Sequence, residues 1–230
     1  MVQERQPLDL LAPADAAIQL GVSVRRVYHL IASGRLPAER IGRRLLVERT
    51  AADAWDKVRS PGGQPFSPHR AWGLLLLADG EPTPWLDPVS RSKLRAILRD
   101  RSLRELRSRL GRRAERHPLR AHPSDLRKLA DEPGVMRSGV SAAREIGLDL
   151  IASDILDAYV PGRLLDRLIR RYRLRPSRDP NVILRRLPDL DFGWDSWAVA
   201  PAAAVAIDLA EDPDPRSQEA AEQALRRYDR

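Results

Sequence analysis

Apolar and polar positions alternate along this chain with two different periods, and the changes of period mark its parts. Pro13 suits the first turn of a helix, and Ala14, Ala17 and Ile18 then fall on one face. Gly21 breaks that helix, and Ser23 is a good N-cap for the next. In the second helix Val24, Val27, Tyr28 and Ile31 stand at i, i+3, i+4 and i+7, which predicts a stripe facing the core. Arg25, Arg26 and His29 then point outward together, and Gly34 ends the helix. The period shortens after "SGRLP". There "AERIGRRLLV" reads as two short strands around Gly42 and Arg43, a hairpin wing. Thr50 caps a last predicted helix, "AADAWDKV", with Asp53 placed for a capping interaction.

The stretch "RSPGGQPFSPHR" denies both helix and strand through its Pro, Gly and Ser content, and reads as a linker. An arginine-dense helical region follows, from about Ser67 to Leu129. In it Leu94, Ile97 and Leu98 share one face, as do Leu103, Leu106 and Leu110, so these helices are amphipathic with basic outer faces. Such faces serve equally as solvated surface or as auxiliary contacts to phosphate or to an acidic protein. From Asp131 onward short helices mix with apolar runs. "NVILRRL" is a β-rich run, and "VAPAAAVAIDLA" is a small-residue helix able to pack closely. Asp208, Glu211, Asp212 and Asp214 cluster near a chain turn, where capping and solubility explain them. The expected fold is mainly α with small β elements: a winged helix-turn-helix over residues 8–60, a linker over 61–68, and a helical to α+β domain over 69–230.

Composition adds a partner class. The 230 residues can bury a real core in one large or two small domains. A net charge of +8 points to a polyanion, although a bias of Arg over Lys (only Lys57, Lys93 and Lys128) also suits a GC-rich genome. The lack of cysteine excludes disulfides, thiol catalysis and Cys-based zinc sites, and fits a reducing compartment. No signal-peptide pattern opens the chain, and "AWGLLLLADG" is too short to span a bilayer, so a cytoplasmic protein without a membrane partner is expected.

Catalysis finds little support. His29, His69, His117 and His122 make no HExxH or paired spacing, and no GxSxG, Walker A or GxGxxG sequence occurs. Asp189 and Asp191 are spaced like a metal-binding carboxylate pair, but no Gly-Ser helix start lies just upstream. Tyr228 is a poor nucleophile candidate, lying in what reads as a frayed tail. No enzyme, no cofactor and no metal are expected.

The segment "APADAAIQLGVSVRRVYHLIASGRLPAERIGRRLLVERTAADAW" resembles the excisionase-type, MerR-like winged helix-turn-helix domain. The resemblance implies double-stranded DNA as partner, with the second helix in a major groove and the wing on the flanking backbone or minor groove. Ser23, Arg25, Arg26 and His29 become candidates for groove contact, and Arg40, Arg43 and Arg44 for phosphate contact. A second protomer, in a homodimer, would add to these contacts.

Over about residues 131–226 the succession "VMRSGVSAAREIGLDLI", "DAYVPGRLLDRLIRRYRL", "NVILRRLPD" and "VAPAAAVAIDLAEDPDPRSQEAAEQAL" resembles the C-terminal domain of AbiEi-type antitoxins. Their usual N-terminal domain is a different winged-helix variety. The resemblance implies a transcriptional autoregulator and antitoxin that binds its own promoter and is encoded with a nucleotidyltransferase-like toxin. An excisionase-like recombination directionality factor, a stand-alone phage-type regulator and a nucleic-acid enzyme are the alternatives.

Overall fold

The computed structural model describes residues 10–20, 23–32, 36–42, 44–48, 64–151, 154–188 and 197–229. The chain divides into two compact units, Met1–Pro61 and Gly62–Arg230. The architecture is mainly helical, with one small sheet in each unit.

In the first unit α1 (Pro13–Gln19) precedes α2 (Val24–Ala32), and β2 (Ala38–Ile41) and β3 (Arg44–Glu48) form the hairpin. A third strand, β1 (Leu10–Leu11), pairs antiparallel with β3 and completes the sheet in the order β1-β3-β2. The core is Leu11, Ala16, Ala17, Leu20, Val27, Leu30, Leu36 and Val47. This moves the inward face of α2. Val27 is buried as expected, but Leu30 joins it, while Val24 is 41% and Tyr28 50% exposed. The physical reason is that the face is centred on 27, 30 and 31, so positions 24 and 28 fall at its margins. Tyr28 is therefore a surface side chain, against the expectation of a core role. The predicted capping helix from Thr50 lies outside the described residues.

The second unit begins earlier than the predicted linker allows. Phe66 is buried, its N–H donates to the Arg109 carbonyl at 2.9 Å, and the Arg109 guanidinium stacks over its ring at 4.0 Å. Ser67 and Pro68 then start a helix, so residues 66–68 belong to the packed unit. Its helices are α3 (Pro68–Ala78), α4 (Pro88–Asp100) and α5 (Leu103–Leu110). Asp87 caps α4, and Ser102 with Glu105 forms a capping box on α5. The inward leucines foreseen on α4 and α5 are the ones that pack, with Leu94, Leu103, Leu106 and Leu110 fully buried.

The helical region expected to continue to Leu129 is interrupted by β4 (Glu115–Arg120). After α6 (Leu126–Ala130) come β5 (Met136–Arg137), β6 (Leu156–Pro161), α7 (Gly162–Arg171), β7 (Arg175–Pro176) and β8 (Val182–Leu187), the last being the predicted apolar strand. The sheet order is β5-β6-β8-β4-β7, with β6 and β8 parallel and the other pairs antiparallel. α8 (Ala202–Ala210) and α9 (Pro215–Leu225) close the fold. Between β5 and β6 the chain forms short 3-10 turns at 139–142 and 144–146.

Strand alternation gives the sheet two faces. Leu119, Leu156, Ala158, Val160, Val182 and Leu184 pack with Leu165 and Leu168 of α7 and Leu126 and Leu129 of α6. Tyr159 and Leu187 face the larger cluster built from α3, α5, α8 and α9. The chain's tail is docked rather than frayed: the Tyr228 hydroxyl donates to Asp79 at 2.6 Å, and the same carboxylate accepts from the Ala203 N–H at 3.0 Å. No helix among the described residues is long and apolar enough to cross a membrane.

Candidate nucleic-acid interface

The outward side of α2 is set by what its inward side must bury. Val27 and Leu30 are drawn into the core with Ala16, Ala17 and Leu20, which leaves Arg25, Arg26 and His29 exposed together. Ser23 orders the start of that helix. Its carbonyl accepts from the Arg26 N–H at 2.9 Å, and its hydroxyl oxygen accepts from the same group at 3.3 Å. The hydroxyl can still donate, so Ser23 combines a capping role with an exposed position at the helix N-terminus. Neither Arg25 nor Arg26 has an ion-pair or hydrogen-bond partner for its side chain among the described residues. Two unpaired guanidinium groups at the first turn of an outward-facing helix are the donors that a guanine edge or a phosphate accepts. Tyr28, unexpected here, adds an exposed aromatic ring to the same surface.

The wing follows from pairing. Ile41 lies opposite Arg44, and Gly42 lies in the turn that joins the two strands. Gly42 has φ +61, a left-handed conformation that glycine takes without strain. Arg40 is exposed on β2. Arg44 stands on β3 directly after the turn, and Arg43 lies outside the described residues. Ser23, Arg25, Arg26 and His29 thus sit together on or at the start of α2, while Arg40 and Arg44 belong to the hairpin.

The second unit holds a different concentration of charge, inside the protein. Arg113, just before β4, donates to the Tyr159 hydroxyl at 2.8 Å, to both Glu211 oxygens at 2.6 and 2.7 Å, and to Asp208. Arg185 on β8 grips Asp157 of β6 with two bonds at 2.8 and 3.0 Å, and also reaches Glu211 at 2.9 Å and Asp208 at 3.1 Å. The Ser138 hydroxyl donates to Asp208 as well. Asp208 is fully buried and Glu211 partly so, which corrects their reading as capping and solubilising residues. Asp214 keeps the capping role, accepting from the Arg216 N–H. Gly139, at φ +48, brings the backbone so close to Asp157 that an added Cβ would stand 2.6 Å from its carboxylate. Burial alone would raise the Asp208 pKa, but Arg185 and Arg113 outweigh it and hold the carboxyl below its ordinary value. Burial likewise opposes the charge on Arg113, and Tyr159, Asp208 and Glu211 together overcome it and keep the group a cation.

This network fastens β6, β8, α8 and the start of β4 to one another. Its donors and acceptors are engaged with each other, which ties these elements together. The sequence carried a signal for it. Asp157, Arg185 and Asp208 are charges embedded in the apolar runs "ILDAYV", "VILRRL" and "AVAIDLA". Among the described residues no group of three or more His, Asp or Glu side chains is arranged to hold a metal ion. Asp189 and Asp191 lie outside the described residues.

Residues 10–55 match a family model described as a helix-turn-helix domain. The N-terminal unit is therefore a helix-turn-helix, the class of domain that binds DNA and regulates its use, in a chain most of which lies beyond that match. No curated protein and no solved structure matches the chain.

Proposed function

We propose that the protein is a transcriptional autoregulator that binds its own promoter through α2 and the wing, and that its larger unit is the antitoxin half of a nucleotidyltransferase-type toxin–antitoxin pair. The observation that carries DNA binding is the pair Arg25 and Arg26, exposed and without a side-chain partner among the described residues, on the second helix of a matched helix-turn-helix domain. The antitoxin reading draws on the resemblance over 131–226. Its support is that motifs far apart in that resemblance, "RSGVSAA", "NVILR" and "AIDLAE", supply Ser138, Arg185, Asp208 and Glu211 to one buried network. A shared fold-defining core is what such a motif set would encode. On this reading the protein acts by binding and not by catalysis.

Two measurements test it. Titrating the full chain against the DNA upstream of its own gene, and against a shuffled duplex, should show preference for the former. Co-expression with an adjacent nucleotidyltransferase-like gene should restore growth. Promoter binding without rescue would leave a stand-alone regulator. Preference for an attachment site beside an integrase gene would instead favour the recombination directionality factor.

A further inference from the structure

Most arginines of the basic helices α4 and α5 are engaged within the protein. Arg91 donates to the Thr83 and Leu86 carbonyls, Arg104 pairs with Glu222 and Asp229, Arg107 reaches the Ala210 carbonyl, and Arg109 covers Phe66. The corner formed by α7, β7 and the turn between them is different. Residues 162–178 contain seven arginines and one acidic residue, Asp166. Arg171 pairs with Glu132, which also accepts from the Tyr172 hydroxyl. Arg167, Arg170, Arg173, Arg175 and Arg178 are exposed, and among the described residues none of their guanidinium groups has a partner.

Two of these positions are held against local stability. α7 ends in a Schellman motif: the Leu174 N–H donates to the Ile169 carbonyl at 3.0 Å, and the Arg173 N–H to the Arg170 carbonyl at 3.4 Å. The residue at the left-handed position of that motif is usually glycine, yet here it is Arg173 with φ 49, the only non-glycine residue of positive φ among those described. Arg175, on β7, lies directly opposite Arg120 of β4, a like-charge pair across strands, although Arg120 is partly satisfied by Asp179. Beside them, Arg116 and Arg178 both line a shallow concavity of about 340 Å³ between β4 and the chain after β7. A strained arginine and an opposed arginine pair are unfavourable for folding, and each puts a cation at the same corner.

We infer that this corner is a second DNA-binding surface, which grips the phosphate backbone of duplex flanking the helix-turn-helix site. The inference rests on the DNA-binding reading of the first unit. Unpaired guanidinium groups spread along a helix end, a turn and an edge strand fit a row of phosphates rather than base edges, so the contact is independent of sequence. Covalent linkage to the helix-turn-helix makes this second contact intramolecular, which multiplies overall affinity even where the corner alone binds weakly.

The test uses the full chain and two promoter duplexes, one long and one trimmed to the helix-turn-helix site. The triple variant Arg173→Glu, Arg175→Glu, Arg178→Glu should weaken binding to the long duplex by at least about tenfold at low salt and flatten its log affinity versus log salt slope by about three units, while binding to the short duplex is unchanged. Arg173→Gly should flatten the slope by about one unit and at the same time raise the melting temperature by about 2–4 °C, because the left-handed strain is relieved. A purely structural residue would not lose affinity as it gained stability. An unchanged slope in the triple variant overturns the proposal, and Arg25→Ala with Arg26→Ala as the only damaging change would leave the helix-turn-helix reading standing alone. A triple variant that keeps DNA binding but loses capture of a co-expressed acidic protein also overturns it and reassigns the corner to protein. Wild-type protein that binds neither duplex refutes both readings.

Discussion

Arginine is used in opposite ways in the two units. In the first, Arg25 and Arg26 are exposed on α2 with no side-chain partner among the described residues, in a unit whose core is eight buried apolar residues. In the second, Arg113 and Arg185 are almost wholly buried and share Asp208 and Glu211, and Arg185 also holds Asp157. The same side chain is a free donor in one place and a clamp in the other. The difference lies in whether carboxylates accompany it into the interior. An exposed guanidinium keeps its hydrogen-bonding capacity for an outside ligand, whereas a buried one has already used it and can only position its neighbours.

The comparison breaks most visibly if one clamp is removed. Arg185→Met leaves Asp157 buried without its bidentate partner and should destabilise the larger unit by about 3–5 kcal/mol. Adding Asp157→Leu to the same chain removes the stranded charge and should restore a substantial part of that stability. Chemical denaturation of the two variants measures both steps, and a double variant no more stable than the single would show that the pair does more than satisfy itself. Leu30→Ala should cost the first unit about 2–5 kcal/mol, enough to unfold so small a core. Tyr28→Ala, two positions earlier but on the surface, should change stability by less than about 0.5 kcal/mol.

The free arginines sharpen the comparison from the other side. Arg25→Ala with Arg26→Ala should abolish preference for the promoter, at about 1–3 kcal/mol of discrimination for each base that is no longer read, with thermal unfolding unchanged. Both side chains are exposed and neither joins the core, so a fall in stability would show that they have a structural role as well. Fluorescence titration together with a melting curve separates the outcomes.

How far the sequence revealed this arrangement depended on the range of the interactions. The outward Arg25 and Arg26, the Gly42 turn, the leucine faces of α4 and α5, and β8 were legible because each follows from periodicity or from one residue's backbone preference. β4 was not. "ERHPLR" lacks an alternating apolar pattern and contains Pro118, which is tolerated because β7 covers only its last two residues and most of β4 is an edge. The burial of the network's charges was signalled, but the meeting of those charges in one network was hidden for a different reason. That network joins residues 113, 138, 157, 185, 208 and 211, and no local pattern states that such distant charges meet. The margin of the α2 core face was misjudged because Val24 and Tyr28 fit the helical spacing as well as Leu30 does, and only packing against α1 and the sheet decides between them.

A smaller effect comes from acid. Asp208 is held below its ordinary value of 3.8, so the stability it lends is complete above that value and is lost as pH falls through its lower folded pKa. The contribution of Asp208 should therefore be lost only below about pH 4. Because Arg185 is the foremost of the groups lowering that pKa, Arg185→Met should make the acid dependence shallower as well as the protein weaker. Denaturation midpoints at neutral pH and at successively lower values give the two slopes, and parallel slopes would remove Arg185 as the group that keeps Asp208 ionised.

The smallest expected change tests the wing. The sequence puts Arg43 directly after Gly42 in the predicted wing turn, and a hairpin tip reaches the sugar–phosphate backbone more readily than a base edge. Arg43→Ala should therefore weaken binding to promoter and shuffled duplex by the same factor, and reduce the log affinity versus log salt slope by about one unit. Stability should move by no more than about 0.5 kcal/mol, as expected of a substitution in a predicted turn. Measuring both duplexes over a range of salt distinguishes this from the groove-reading role of α2, whose removal affects the promoter alone. If Arg43→Ala instead changes affinity at one base pair and leaves the salt slope intact, the wing reads sequence, and the division between a reading helix and a gripping hairpin is wrong.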